Sequence, residues 1–282
     1  MDIGFFSYNS DYGIQPHDLA KELEERRFDS LWVGEHTHIP ASRKTPFPGG
    51  IDLPRPYYHF RDPFISLAAA AAATQNLTIA TGISLVVQHD PIVLAKTVAT
   101  LDHLSGGRFE FGIGGGWNKE EMENHGYEFG SRWKLLRERI EAMKAIWTEE
   151  EASYSGEYVN FEKIISYPKP VQTPYPPILM GGATEMSLKR VARYCDGWMP
   201  IDALLQDPAA MVEKMRDIVG EGGRDPDEVH LSIFCQKNRT ADSIQNFREA
   251  GFTRAIIGLP NRDRSTLLDF VDGYVGLGEK IG

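Results

Sequence analysis

The chain has 282 residues, 41% hydrophobic and 25% charged, with 27 glycines and 17 prolines, a composition that excludes a disordered or collagen-like polymer and supplies a sizeable core. Forty acidic against 30 basic residues leave a formal charge of −10; with no Lys/Arg run to offset it, nucleic acid is not an expected partner. Cys195 and Cys235 show neither metal-ligand nor disulfide-framework spacing, MDIGFFSYNS lacks the features of a signal peptide, and the alanine-rich run 67–74 is too short for a bilayer, so a reducing, cytoplasmic setting without membrane contact is expected.

Short apolar runs alternate with amphipathic stretches, as when parallel strands are joined by crossover helices. Strands are predicted at 3–8, 30–34, 77–83, 108–113, 177–181, 197–201, 229–234 and 254–259. Asp62-Pro63, Asp90-Pro91 and Asp207-Pro208 each place a capping acceptor before a proline whose missing N–H costs nothing at the first helical position, so these aspartates read as structural. Trp133, Leu136, Ile140, Met143 and Trp147 recur at helical spacing and read as one core-facing stripe. Further stripes appear at Met211, Met215 and Ile218 and at Leu267, Phe270, Val271 and Tyr274.

Eight strand–helix units in one chain of this length predict an α/β protein with a single (β/α)8 TIM barrel over 1–282; an open doubly wound sheet is disfavoured because no GxGxxG follows the first strand. Connections 35–62, 114–130 and 150–176 are too long for plain turns. The first two follow strands and belong at the C-terminal mouth, where active sites are built. The third follows a helix and reads as a hairpin and then an extended segment.

In WVGEHTHIP, the side chains of Glu35, His36 and His38 follow the second strand, so they belong at the mouth as candidates for general acid–base work, and imidazole titrates near neutral pH. Glu35, His36, His38 and His59 could instead ligate a metal, as in a barrel isomerase or aldolase, although no HExxH or paired-Cys motif supports it. In FGIGGGWNKEE, Gly114, Gly115 and Gly116 close the fourth strand; successive glycines let backbone N–H groups approach an anion or a flat ring, or simply form a tight corner. Gly181, Gly182 and Ala183 lead from the fifth strand into a helix capped by Thr184, an arrangement suited to phosphate. A phosphate site in this barrel commonly follows strands seven and eight, so the position is unusual. Gly82 sits where the third strand meets the mouth, compatible with a ligand or with a bulge.

Three stretches, FDSLWVGEHTHIP (28–40), DPIVLAKTVATLDHLSGGRFEFGIGGGWNKEE (90–121) and PILMGGATEMSLKRVARYCDGWMP (177–200), resemble the bacterial luciferase-like monooxygenase superfamily, and most closely its deazaflavin (coenzyme F420)-dependent oxidoreductases. The resemblance implies a homodimeric barrel with a deazaflavin, or alternatively FMN, over the mouth, exchanging hydride with a small-molecule substrate at C5 of a deazaflavin or N5 of a flavin. Glu35 and His36 match an acidic residue and a histidine beside the ring, which makes His36 the expected proton-handling group. Gly82-Ile83 matches a non-prolyl cis peptide in that branch, and the glycines at 114–116 and 181–182 match the loops that hold the ribityl chain and phosphate. Trp117 stands where sugar-phosphate dehydrogenases of the branch carry a carboxylate, and Pro40 where they carry an aromatic residue, which argues against glucose 6-phosphate. Trp117, Tyr57, Tyr58 and Phe60 are expected either to wall a substrate site, along with His38, or to form a dimer contact.

Overall fold

The computed structural model describes residues 1–48, 50 and 52–281. In chain order the elements are β1 (Asp2–Ser7), α1 (Pro16–Glu25), β2 (Ser30–Val33), α2 (Pro63–Ala73), β3 (Thr78–Ser84), α3 (Pro91–Ser105), β4 (Phe109–Ile113), α4 (Lys119–Asn124) and α5 (Arg132–Thr148). They continue with β5 (Ala152–Ser155), β6 (Asn160–Ile164), β7 (Ile178–Gly181), α6 (Glu185–Tyr194), β8 (Gly197–Met199), α7 (Pro208–Glu221), β9 (His230–Cys235), α8 (Ala241–Glu249), β10 (Arg254–Gly258), α9 (Arg264–Asp272) and α10 (Leu277–Ile281).

Eight parallel strands close into a barrel in the order β1-β10-β9-β8-β7-β4-β3-β2, sealed where β1 pairs with both β2 and β10. This is the expected α/β architecture of a (β/α)8 barrel. The two further strands, β5 and β6, form an antiparallel hairpin, as the text of the third long connection suggested. Closure removes sheet edges and leaves both faces of each strand covered, which is why the strand sequences read as continuous apolar runs. β8 is shorter than expected because Pro200 has no N–H for the ladder; beyond it Ile201 makes only an isolated bridge to Phe234.

The Asp-Pro caps form as anticipated: Asp62 accepts from the Ile65 N–H at 2.8 Å, Asp90 from those of Ile92 and Val93 at 3.0 Å, and Asp207 from that of Ala210 at 3.0 Å. Leu136, Ile140, Met143 and Trp147 of α5 are buried in the main core between helices and barrel. No helix among the described residues is long and apolar enough to cross a membrane.

The barrel interior is layered. At its N-terminal end the Arg254 guanidinium bridges Glu110 at 2.7 Å and Asp29 at 2.6 Å, and those charges, outweighing the burial that opposes them, hold the arginine protonated beyond its ordinary range. Above it Phe6, Trp32, Ala80, Leu179, Met199, Phe234 and Ile256 form a separate apolar cluster. These two layers fill the lower barrel beneath the C-terminal mouth.

Candidate active site

His36 leaves the end of β2 with its side chain only 7% exposed, and its Nδ1 lies 2.7 Å from Oε2 of Glu121, whose side chain is 1% exposed. A carboxylate accepts, so Nδ1 carries the hydrogen and Nε2 is the basic nitrogen. Among the described residues Nε2 has no protein partner. Glu121 belongs to α4, in the segment that the sequence shows only as a long connection. Its neighbour Glu120 accepts from the backbone N–H of Lys44 at 3.0 Å and the hydroxyl of Thr45 at 2.6 Å, and chiefly that hydroxyl holds the Glu120 carboxyl down to about 2. One short helix thus fixes both the histidine and the loop beyond it.

Glu35, expected beside the catalytic histidine, lines the mouth cavity, and both of its carboxylate oxygens are engaged by protein partners. It accepts from the Ser84 hydroxyl at 2.8 Å and the Leu85 N–H at 2.6 Å, and its other oxygen meets Nε2 of His89 at 2.6 Å. Burial opposes ionisation, but the His89 bond and charge, with the Leu85 and Ser84 donors, outweigh it and hold the carboxyl below its ordinary value. Burial likewise opposes the His89 cation, and Glu35 overcomes it, so the imidazole is held above its ordinary value. The pair ties the start of the first mouth loop to the segment leaving β3. There the Gly82-Ile83 peptide is cis, as the resemblance implied, and the β3–β4 register shifts between Thr81 and Ser84.

Of these residues Glu35, His36, Gly82, Ile83 and Leu85 line the mouth cavity, which has a volume of about 270 Å³. Phe6, Met199 and Phe234, from the apolar cluster inside the barrel, form its floor, and Gly82-Ile83 stands on one side. Gly114, Gly115, Gly116, Gly181 and Gly182 line it as well, together with His36 and Trp117. Gly182 has φ of +105°, and a Cβ there would approach the Ser187 hydroxyl to 2.7 Å, so the turn into α6 requires glycine. Thr184 caps that helix by accepting from the Ser187 N–H at 3.2 Å.

Tyr57 and Phe60 line the cavity and stack at 5.3 Å, Trp117 stands 5.8 Å from the His36 ring, and Phe47 packs on both Tyr57 and Trp117. Burial pushes the Tyr57 phenol upward, so it stays protonated at neutral pH. Tyr58 faces outward and is 56% exposed. Trp133, read from its spacing as a core residue, packs against the main core and also lines the cavity, where a Cβ on Gly115 would meet its ring at 2.9 Å.

His38 and Ala183 do not line the cavity. His38 points aside to Thr37 at 2.9 Å and Asn124 at 3.0 Å, and its ring adjoins His125. His59 pairs with Asp11 at 3.0 Å. The four residues considered for a metal therefore have separate partners, and no cluster of three or more suitable ligands occurs among the described residues. Glu121 and His89 carried a signal in the sequence, as titratable residues within mouth segments, but their partners lie 85 and 54 positions away.

The luciferase-like monooxygenase family matches residues 15–258. The uncharacterised protein Rv0953c of Mycobacterium tuberculosis (strain H37Rv) is 41% identical over 280 residues, 96% of each chain. The FMNH(2)-dependent dimethylsulfone monooxygenase of Pseudomonas putida is 31% identical over 151 residues, covering 52% of this chain and 41% of its own. Among solved structures, an F420-dependent secondary alcohol dehydrogenase in complex with an F420-acetone adduct superimposes with a TM-score of 0.76 over 98% of both chains at 18% identity, a likeness of fold. The family match over residues 15–258, on a chain that folds as a closed parallel barrel, leads to one assignment: the chain belongs to the luciferase-like monooxygenase family.

Proposed function

We propose that this member of an oxidoreductase family transfers a hydride between the deazaflavin coenzyme F420 and a small organic substrate, with His36 handling the accompanying proton. The observation that carries the reading is the buried His36–Glu121 pair, whose unpartnered Nε2 belongs to a residue lining the cavity. The residues fit a tricyclic cofactor: the floor is apolar and aromatic, and glycines present backbone without Cβ atoms on the adjoining walls. The bound cofactor would accept or donate the hydride, while the protein supplies orientation, a dry pocket and a group that takes or gives the proton. Glu121 fixes the histidine tautomer, so Nε2 is the nitrogen that takes a proton from a hydroxyl or, in the reverse direction, gives one to a carbonyl oxygen. Glu35 and His89 hold the β3 loop in place, a positioning role.

A second reading, an FMN-dependent monooxygenase, is favoured by the relative that uses FMNH2. Absorbance titration of the purified protein with F420 and with FMN separates the two. The expected result is saturation by F420 with no oxygen consumption. Selective FMN binding with reductase-dependent oxygen uptake would replace the first reading with the second. With F420 bound, His36→Gln should leave binding within about twofold while slowing its reduction by an accepted alcohol on the order of 10²-fold.

A further inference from the structure

Three aromatic rings surround the imidazole of His36. Its centre lies 5.3 Å from that of Tyr57, 5.7 Å from that of Phe60 and 5.8 Å from that of Trp117, and all four residues line the cavity. Phe47 is not part of the lining but packs on Tyr57 at 5.2 Å and on Trp117 at 5.6 Å, so the rings hold one another in place. A group that meets Nε2 of His36 therefore has neighbours that offer apolar area and no charge. The cavity, at about 270 Å³, is smaller than the ~300–1,000 Å³ usual for ligand clefts. A tricyclic ring must share it, which leaves room for a small substrate.

No lysine or arginine is among the described residues that line this cavity. Arg43 and Arg190 stack on Trp117 at 5.7 Å and on Trp133 at 3.7 Å, and neither belongs to the lining. The charges at the His36 end are carboxylates: Glu35, with both oxygens engaged, and Glu121, 2.7 Å from Nδ1. Protonated His36 is already balanced by Glu121. A substrate carboxylate or phosphate placed beside it would lose hydration and gain no unpaired cation. Neutral partners are few as well. Besides indole N–H groups they are Nε2 of His36, the Tyr57 hydroxyl, which makes no hydrogen bond among the described residues, and the amide of exposed Gln236 just past β9. Two such groups on neighbouring rings suit a single substrate oxygen, whereas a polyol would bring hydroxyls that these walls leave unpaired.

We infer that the substrate is an uncharged, monofunctional alcohol or the matching carbonyl compound, with an apolar group up to the size of a benzene ring packed among Tyr57, Phe60 and Trp117, and that anionic substrates are excluded. This inference rests on the reading of the cavity as the site of hydride exchange. In the oxidative direction the alcohol gives its carbinol hydrogen as hydride to the cofactor and its hydroxyl proton to Nε2 of His36, and the C–O bond becomes a carbonyl. Reduction returns both along the same path. The aromatic rings favour the apolar group by contact, and the absence of a lining cation rejects the anion, since specificity needs a cost for the wrong ligand as well as a gain for the right one.

The test uses pairs of compounds that differ at one group. Acetophenone and phenylglyoxylate, in which a carboxylate replaces the methyl group, are titrated by calorimetry into protein holding the oxidised form of whichever of F420 and FMN it binds, a pairing in which no hydride can move. Acetophenone should bind on the order of 10²-fold more tightly. Where the cofactor is F420, kcat/KM for 1-phenylethanol should exceed that for mandelate on the order of 10²-fold, and that for 2-propanol on the order of 10-fold. Trp117→Lys should narrow the gap between the two ketones on the order of 10-fold, whereas Trp117→Leu should weaken acetophenone without strengthening phenylglyoxylate. Phenylglyoxylate or mandelate matching its uncharged counterpart, acetophenone failing to bind the loaded wild type, or an unchanged gap in Trp117→Lys would overturn the substrate assignment while the cofactor reading stood. A wild type that binds neither F420 nor FMN would instead remove the cofactor reading, and the assignment with it.

Discussion

Replacing Glu35 with glutamine removes one charge from the buried pair that anchors the β3 loop while nearly preserving its shape. The wild-type carboxylate is 4% exposed as a residue and has two neutral donors besides His89. Glutamine with its carbonyl oxygen at the Oε2 position keeps an acceptor for both donors but leaves His89 without its counterion. Breaking a buried ion pair by removing one partner costs ~3–5 kcal/mol. Because a quarter of the His89 side chain is exposed, the lower end applies, about 3 kcal/mol.

The charge contribution has a defined pH window. Glu35 is held below its reference value of 4.5, so its stabilisation is present above that value and is lost as pH falls through the depressed pKa. His89 is held above its reference value of 6.5, so its stabilisation is complete below 6.5 and is lost as pH rises through the elevated pKa. Urea denaturation of wild type and Glu35→Gln at about pH 5.5 and pH 9 should therefore give a larger stability gap at the lower pH. The same gap at both values would refute the argument, because Glu35 would then act through shape and neutral hydrogen bonding alone.

Glu121→Gln should lower turnover with an accepted substrate on the order of 10²-fold, comparable to loss of general acid–base catalysis, with cofactor affinity nearly unchanged; full activity would show that His36 needs no anionic partner. Gly112→Ala would place a Cβ 2.0 Å from the Thr81 carbonyl oxygen, where only a shift of backbone gives relief, so thermal unfolding should register a loss of ~1–3 kcal/mol; a neutral result would mean that β3 and β4 separate freely. Arg254→Met strips the counterion from Glu110 and Asp29 and should cost ~3–5 kcal/mol at neutral pH. That deficit should shrink in acid as the stranded carboxylates take up protons; a deficit that grows in acid would contradict the assigned network.

The periodic and punctuating features of the chain were legible without coordinates because they act over a few residues. Alternating apolar runs marked every barrel strand, an aspartate before a proline marked three helix starts, and the glycines at 114–116 and 181–182 lay where strands meet the mouth. The hairpin between α5 and β7 was also readable in its aromatic and proline-rich text. A helical stripe gives an angle around its axis but not what stands opposite, so it placed Trp133 against the core without showing that the same ring also walls the cavity.

Side-chain roles at the mouth were decided by the closed barrel. Glu35 and His36 are adjacent in sequence, yet Glu35 meets the segment after β3 whereas His36 meets α4. His38, two residues beyond, turns away altogether. Sequence determined that a barrel would form and that titratable groups and bare backbone would gather at its C-terminal rim, because strand and loop order fix that topology. Only tertiary structure decided which carboxylate orients a histidine and which is consumed as a structural tie, because hydrogen bonding depends on distances and directions between residues dozens of positions apart.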